Sequence, residues 1–396
     1  MNKTLEQCDV LIKGARVIDP AASVDATLDI ALIAGKIAAL APSITAKAEE
    51  VFEANGKIAI PGIIDIHAHP YPFAHWGLDP DTVGVFSGVA TVFDGGSSGV
   101  MTFNHFLENY IKKAVTDVYA FLHMHPAGEV TLPEIWDKDK VILHPEAIID
   151  TVKRNRGRIV GIKDRAIGSL VRHRGPEAVT TALAICKECA VPLMVHIGLD
   201  PGDDLPEDEL DAYMRCLLEN MRPGDIITHA FTGKRGRIFR EDGLYDDLIK
   251  KAVARGVILD ACVGRTNISW DALRIARARG YAPQALGTDL TTFGMENAGK
   301  NMGVTMSKLM AAGLTFMEVV TLVTSAPASI MGMPEKGTLA VDTCADITLL
   351  DVAKGRFEFL DRFGGEKITG DTLIAPFGVF KRGSFIKATV TGGPTH

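Results

Sequence analysis

A chain of 396 residues that is 47% hydrophobic and 23% charged has the composition of a folded globular protein, long enough for one barrel-sized unit plus a smaller partner. Its formal charge of -7 disfavours nucleic acid or an anionic membrane as partner, and no apolar run is long enough to cross a bilayer. The opening Met-Asn-Lys-Thr-Leu-Glu-Gln-Cys-Asp lacks the apolar stretch of a secretion signal, so a cytoplasmic protein is expected.

Residues 9–55 read as short strands at 9–13, 15–19, 28–33 and 36–40, separated by Gly14, Gly35 and Pro42. The C-terminal part repeats that style at 337–340, 345–351, 375–383 and 385–390. Neither end carries enough strands to bury two faces, which predicts one small β-sandwich built from residues 1–55 and 335–396 together. The stretch between, 56–334, alternates apolar β-rich runs with helical patterns. The runs fall at 58–67, 90–94, 118–125, 159–164, 192–197, 225–230, 257–262 and 284–289. Eight such units predict an α/β fold, a (β/α)8 TIM barrel.

The first of these runs, Ile58-Ala-Ile-Pro-Gly-Ile-Ile-Asp-Ile-His-Ala-His69, leads a buried strand into two histidines one residue apart. Strand side chains alternate, so His67 and His69 share a face and can grip one metal ion. Other barrel strands also finish on chemically competent groups: Lys163 on the fourth, His196 on the fifth, His229 on the sixth and Asp289 on the eighth. Active sites of this barrel lie at the C-terminal strand ends, and a polar group buried there without a partner is costly. Four imidazoles and a carboxylate suit Zn2+ or another first-row divalent ion better than Mg2+ or Ca2+. Lys163 as an ammonium would be repelled by cations, whereas a neutral amine can take up CO2 and become a bridging carbamate.

The six cysteines (Cys8, Cys186, Cys189, Cys216, Cys262, Cys344) are too sparse for a disulfide framework. Cys186 and Cys189 form a C-x-x-C inside a helical pattern with no second pair, which predicts plain thiols rather than a zinc site. The run Gly95-Gly-Ser-Ser-Gly99 lacks a Walker lysine and reads as a tight turn after a barrel strand rather than an anion cradle.

The motif Pro61-Gly-Ile-Ile-Asp-Ile-His-Ala-His69 and the stretch Thr324-Ser-Ala-Pro-Ala-Ser-Ile-Met-Gly-Met-Pro-Glu-Lys-Gly-Thr-Leu-Ala-Val-Asp-Thr-Cys-Ala-Asp-Ile347 resemble the amidohydrolase superfamily, in its dinuclear, carboxylated-lysine branch. The resemblance implies one metal held by His67, His69 and Asp289 and another by His196 and His229. Carboxylated Lys163 and a hydroxide would bridge the two Zn2+ ions, with Asp289 as the group that moves the proton.

Dihydroorotases resemble this chain but carry arginine where Tyr71 stands, and the glutamate of mononuclear deaminases is missing after His196 and His229. The likeness is greatest to an amidohydrolase/deacetylase group, which implies hydrolysis of an amide or ester bond in a small acylated substrate. A hydantoinase-like or dihydroorotase-like cyclic amide hydrolase is the alternative, and a scaffold that has lost its metals is disfavoured because all six ligand positions are filled. Loop residues Tyr71, Ser97, His123, His125, Arg165, Arg265, Thr291 and Thr292 are candidates for specificity. Of these, Tyr71, Ser97, Arg165 and Arg265 are expected to touch substrate, Arg165 through a substrate carboxylate or else in a structural ion pair. A homo-oligomer is expected.

Overall fold

The structure, a computed structural model, describes residues 2–130, 143–200, 202–264, 266–297, 301–360, 365 and 367–390. Five strands come first: β1 (Lys3–Asp19), β2 (Val24–Ile33), β3 (Lys36–Ala41), β4 (Ile44–Glu53) and β5 (Ile58–Pro61). Seven follow with helices between them: β6 (Ile63–Ala68), β7 (Val89–Asp94), β8 (Asp117–His123), β9 (Ile159–Arg165), β10 (Leu193–His196), β11 (Ile226–Thr228) and β12 (Ile258–Leu259). Three close the chain: β13 (Ile347–Leu360), β14 (Lys367–Lys381) and β15 (Ser384–Lys387).

Both ends of the chain meet in one sheet of order β15-β14-β13-β5-β1-β2-β3, with β4 branching off β1. This is the β-sandwich domain. Its core includes Ile12, Val17, Ile30 and Ile37 from the N-terminal part and Ile347, Leu349 and Phe380 from the C-terminal part. Two differences from the sequence reading have clear causes. Gly14 does not end a strand: with φ at +69 it forms a bulge inside β1, where the register against β2 slips between Ile12 and Ala15. The alanine- and glutamate-rich 44–53 region, unassigned from sequence, forms β4 because β1 pairs with it in parallel; tertiary pairing overrides a weak local preference. Residues 337–340, expected as a strand, carry no strand pairing.

The second sheet runs β12-β11-β10-β9-β8-β7-β6, all parallel. The eighth predicted strand is irregular, with a single bridge, Asp260 to Ala285, yet it closes the (β/α)8 ring through its backbone. Gln284 N–H donates to Leu259 O (2.9 Å) and Val263 N–H to Gly287 O (3.1 Å) on one side. On the other, Asp289 N–H donates to His67 O (2.7 Å) and His69 N–H to Leu290 O (3.2 Å). The same bonds that close the barrel therefore fix three of the expected metal ligands.

The single strand expected over 58–67 is divided at Gly62: β5 pairs with β13 in the sandwich, whereas β6 pairs with β7 in the barrel. A Cβ at Gly62 would sit 2.8 Å from the Cβ atoms of both Ala90 and Asp346, so the chain crosses between sheets where only hydrogen fits. Gly62→Ala is expected to destabilise the fold by about 1–3 kcal/mol, as overpacking does, read as a lower Tm at unchanged metal content. An unaltered Tm would show that the crossing has room.

Candidate active site

A register shift between β6 and β7 falls between Asp65 and Ala68. It lets Ile64 and Ile66 join Phe93, Phe121, Met194 and Ile226 in a cluster within the barrel, while His67 and His69, out of phase with them, meet the other ligands at the strand ends. Bulges of this kind re-aim side chains beside active sites. Two further ligand candidates have left-handed backbones, His229 with φ +61 and Asp289 with φ +52. Such conformations cost on the order of 1–3 kcal/mol each and gather at functional sites.

All six candidates converge. His69 Nε2 lies 3.1 Å and His67 Nε2 3.6 Å from Asp289 Oδ1, and Lys163 Nζ lies 3.2 Å from His67 Nε2. The His229 ring stands 5.3 Å from that of His67 and 4.4 Å from that of His196. Behind them, Gly95 and Gly96 allow close approach: a Cβ on Gly95 would fall 2.0 Å from His67 Cδ2, and one on Gly96 2.4 Å from Lys163 Cγ. The loop turns its Ser97 N–H onto the Asp94 carboxylate (3.0 Å), so it is a tight turn, as the missing lysine suggested.

The partners of the ring nitrogens show what the cluster lacks. His229 Nδ1 reaches Cys262 O at 2.9 Å, and His67 Nδ1 reaches Thr228 Oγ1 at 2.8 Å. The Nε2 atoms of His229 and His196 are buried and find no hydrogen-bonding partner among the described residues. Orphaned buried imidazole nitrogens beside a carboxylate are what a divalent cation would satisfy. The residues fit a metal centre.

The charges point the same way for three of the four histidines. Burial, then the nearby Lys163, holds His67 far below the usual histidine range, and burial holds His196 there too. Burial also lowers His229, to about 3. These rings are neutral and can ligate. His69 differs, since burial is outweighed by Glu129 and Asp289, which lift it to about 9. Burial lowers the Lys163 ammonium and favours its neutral amine. Beneath the ligands, burial raises Asp65 and Asp260 to about 7 and Asp94 to about 6.

A cavity of about 310 Å³ opens over this cluster, lined by His67, His69, Lys163, His196 and Asp289 together with Arg165, Lys234 and Glu129, with Trp76 and Phe293 among its walls. Arg165 therefore faces the cavity. Its Nε stands 3.7 Å from Glu129 and its Nη2 3.9 Å from Asp200. Ser97 is buried, with its hydroxyl 2.9 Å from His69 Nδ1, so it supports a ligand rather than lining the cavity. Tyr71 is buried too. Its hydroxyl meets His105 Nδ1 at 2.9 Å and its ring packs on Phe106, away from the cavity walls. Arg265 lies outside the described residues. His123 is buried at the end of β8 and His125 is buried just beyond it, and Thr291 lines the cavity.

The sequence reading missed Glu129, whose Oε2 lies 3.4 Å from His69 Nδ1, and Lys234, bonded to Asp200 at 2.9 Å. It also missed Cys262, whose thiol lies within the His67, His229 and Asp289 cluster. Glu129 and Lys234 sit on loops that no periodicity marks; Cys262 ends the seventh predicted strand, so its place there was the available signal. All six cysteines are free thiols.

The model of the Amidohydrolase family matches residues 58–394. The chain belongs to that family. Among this amidohydrolase's relatives, the protein named deacetylase Atu3266 of Agrobacterium fabrum is 32% identical over 338 residues, covering 83% of this chain and 79% of that one. A solved structure titled as an adenine deaminase matches with a TM-score of 0.85 at 26% identity, over 96% of this chain and all of the other. One titled as a dihydroorotase matches with a TM-score of 0.82 at 28% identity, over 96% and 99%. The amidohydrolase is a metal-dependent hydrolase of carbon–nitrogen bonds, and among its described residues no helix is long and apolar enough to cross a membrane.

Proposed function

We propose that this amidohydrolase deacylates a small substrate bearing a carboxylate, cleaving an amide or ester bond at a dinuclear centre. The observation that carries the reading is the convergence of His67, His69, Lys163, His196, His229 and Asp289 beneath a cavity whose wall holds Arg165 and Lys234. His67, His69 and Asp289 would hold one ion, His196 and His229 the other, and Lys163 as a carbamate would serve both; the nitrogen-rich set suits Zn2+. Bound there, the ions supply an activated water and a Lewis acid for the scissile carbonyl.

The chain's own groups do the rest. With Asp289 Oδ1 turned toward two imidazoles, Oδ2 takes the proton of the attacking water and hands it to the leaving atom. The Asn267 amide, 2.9 Å from Oδ2, holds that oxygen in place. Arg165, 8% exposed at the cavity wall, orients the substrate's carboxylate and leaves the carbonyl at the centre. Tyr71, where dihydroorotases carry their arginine, is committed to His105, which favours deacylation over a dihydroorotase reaction.

The test is a hydrolysis screen of the zinc-loaded protein with N-acyl amino acids, acetyl esters, lactones and hydantoins, and with adenine as a deamination control. Turnover of acyl compounds is expected. Turnover confined to hydantoins or adenine would overturn the reading. Replacing Arg165 and Arg265 together by Met is expected to raise KM for the best substrate about 10- to 100-fold, the range of a lost charge-assisted hydrogen bond. An unchanged KM would remove both arginines from substrate recognition.

A further inference from the structure

Beneath the cluster of ligand candidates the floor of the barrel carries a directional chain of hydrogen bonds that the reaction itself does not use. Thr228 is the last residue of β11 and immediately precedes His229. Its hydroxyl is fully buried and stands between two groups from other barrel units. Oγ1 donates to Asp260 Oδ2 at 2.7 Å and lies 2.8 Å from His67 Nδ1. Asp260 follows β12 and is itself completely buried.

A hydroxyl has one proton. Given to Asp260 Oδ2, which accepts it whether Asp260 is ionised or carries a proton on its other oxygen, it leaves Oγ1 to His67 as a lone pair. The proton between Oγ1 and the ring must then come from Nδ1, so Nε2 carries the free lone pair. That nitrogen faces Lys163 Nζ and Asp289 Oδ1, at 3.2 and 3.6 Å. His229 obtains the same tautomer more simply, because its Nδ1 meets a backbone carbonyl, that of Cys262, which cannot donate. His67 has no carbonyl at that place; Thr228 and Asp260 supply the equivalent.

We propose that Thr228 and Asp260 are positioning residues that lock His67 as its Nδ1-protonated tautomer and thereby set the affinity of the centre for metal. The inference rests on the metal-dependent reading above. Valine in place of Thr228 would keep the shape and remove the acceptor. The buried Nδ1–H would then be unpaired, and the ring could relieve that only by moving its proton to Nε2, the atom the metal requires.

The experiment measures zinc affinity of the full chain by competition with a chromophoric chelator, and the visible spectrum of the Co2+-loaded form. T228V is expected to bind zinc about 10- to 100-fold more weakly and to show a changed Co2+ spectrum, the range seen when the outer partner of a ligating histidine is lost. T228S, which keeps the hydroxyl, is expected to bind as the wild type does. D260N is expected to weaken binding as well, and T228V combined with D260N to be no worse than T228V alone, because Asp260 acts through the hydroxyl. Wild-type affinity in T228V would overturn the proposal, as would T228S as weak as T228V, or losses that multiply in the double variant. If T228V does not fold, D260N, which is isosteric, and T228S, which keeps the hydroxyl and loses one methyl group, decide: D260N unchanged in affinity, or T228S impaired, overturns it. A wild-type chain that takes up no zinc would overturn the metal reading and this pair with it, which separates that failure from the others.

Discussion

Lys163→Ala is expected to lose at least one of two bound metal ions and nearly all turnover, with part of both restored by formate or acetate. The side chain is 1% exposed, with Nζ against His67 Nε2 and Met194 Sδ at 3.2 and 3.8 Å. Burial lowers its pKa, which favours the neutral amine that can capture CO2. An ammonium there would repel both cations. Alanine leaves a space that a small carboxylate can enter as a substitute bridge, bordered by Gly96, whose hydrogen faces the Lys163 stem where a Cβ would fall 2.4 Å from Cγ. Lys163→Arg is expected to fail without rescue, since a guanidinium stays charged and cannot form a carbamate. Metal analysis of the purified variants checks the claim. Two tightly held ions and near-normal turnover in Lys163→Ala would show a centre bridged in another way.

The second large effect is on stability. Asp117 at the start of β8, Asp346 just before β13, Lys336 between the last barrel helix and the sandwich, and Lys381 at the end of β14 form a buried cluster. Lys381 Nζ lies 2.6 Å from Asp117 and 2.7 Å from Asp346; Lys336 Nζ lies 2.8 and 2.9 Å from the same two. Arg382 adds a contact to Asp117 at 2.7 Å. Removing Asp117 would leave two buried ammonium groups sharing one carboxylate, so Asp117→Ala is expected to cost about 3–5 kcal/mol.

Burial alone would raise the Asp117 pKa, but Lys381 and Lys336 outweigh it and hold the carboxyl at about 2, against 3.8 for the free group. A depressed carboxyl stabilises the fold above pH 3.8 and ceases to do so as pH falls through about 2. The shift corresponds to about 2 kcal/mol. The Tm gap between wild type and Asp117→Asn, both measured without metal, should therefore be widest at neutral pH and close between about pH 4 and 2. A gap that does not change with pH over that interval would show that the cluster is not what the variant removes.

The residues that converge at the strand ends were legible because chemistry at a strand end leaves two marks at once: a β-rich apolar run and a polar residue that such a run does not tolerate without a partner. His67, Lys163, His196, His229 and Asp289 all carry both. The alternation argument also placed His67 and His69 together, although a register shift between Asp65 and Ala68, which only pairing with β7 reveals, interrupts the strand there. Glu129 carries neither mark. It is one acidic residue on a loop, and nothing local shows that its backbone N–H is fixed by Ser97 O and its carboxylate by His69. Tyr71 failed for the opposite reason, since its closeness to the histidines in sequence hides a turn that sends its ring toward Phe106. In the sandwich, the hairpin style of both ends was readable, but β4 and the passage of β1 through Gly14 depend on partners far along the chain.

The division of the first predicted strand at Gly62 has a consequence for how the protein is made. β5 lies beside β1 on one edge and β13 on the other, in the register Ala59 to Leu349, so its second edge stays open on the ribosome until residues 347–350 have emerged. By then every barrel strand and all six ligand positions have already been synthesised. Closing a contact across that sequence distance is slow, and a strand edge left open meanwhile is a site for mispairing. The segment that leads directly into His67 is thus among the earliest made and among the last to be secured.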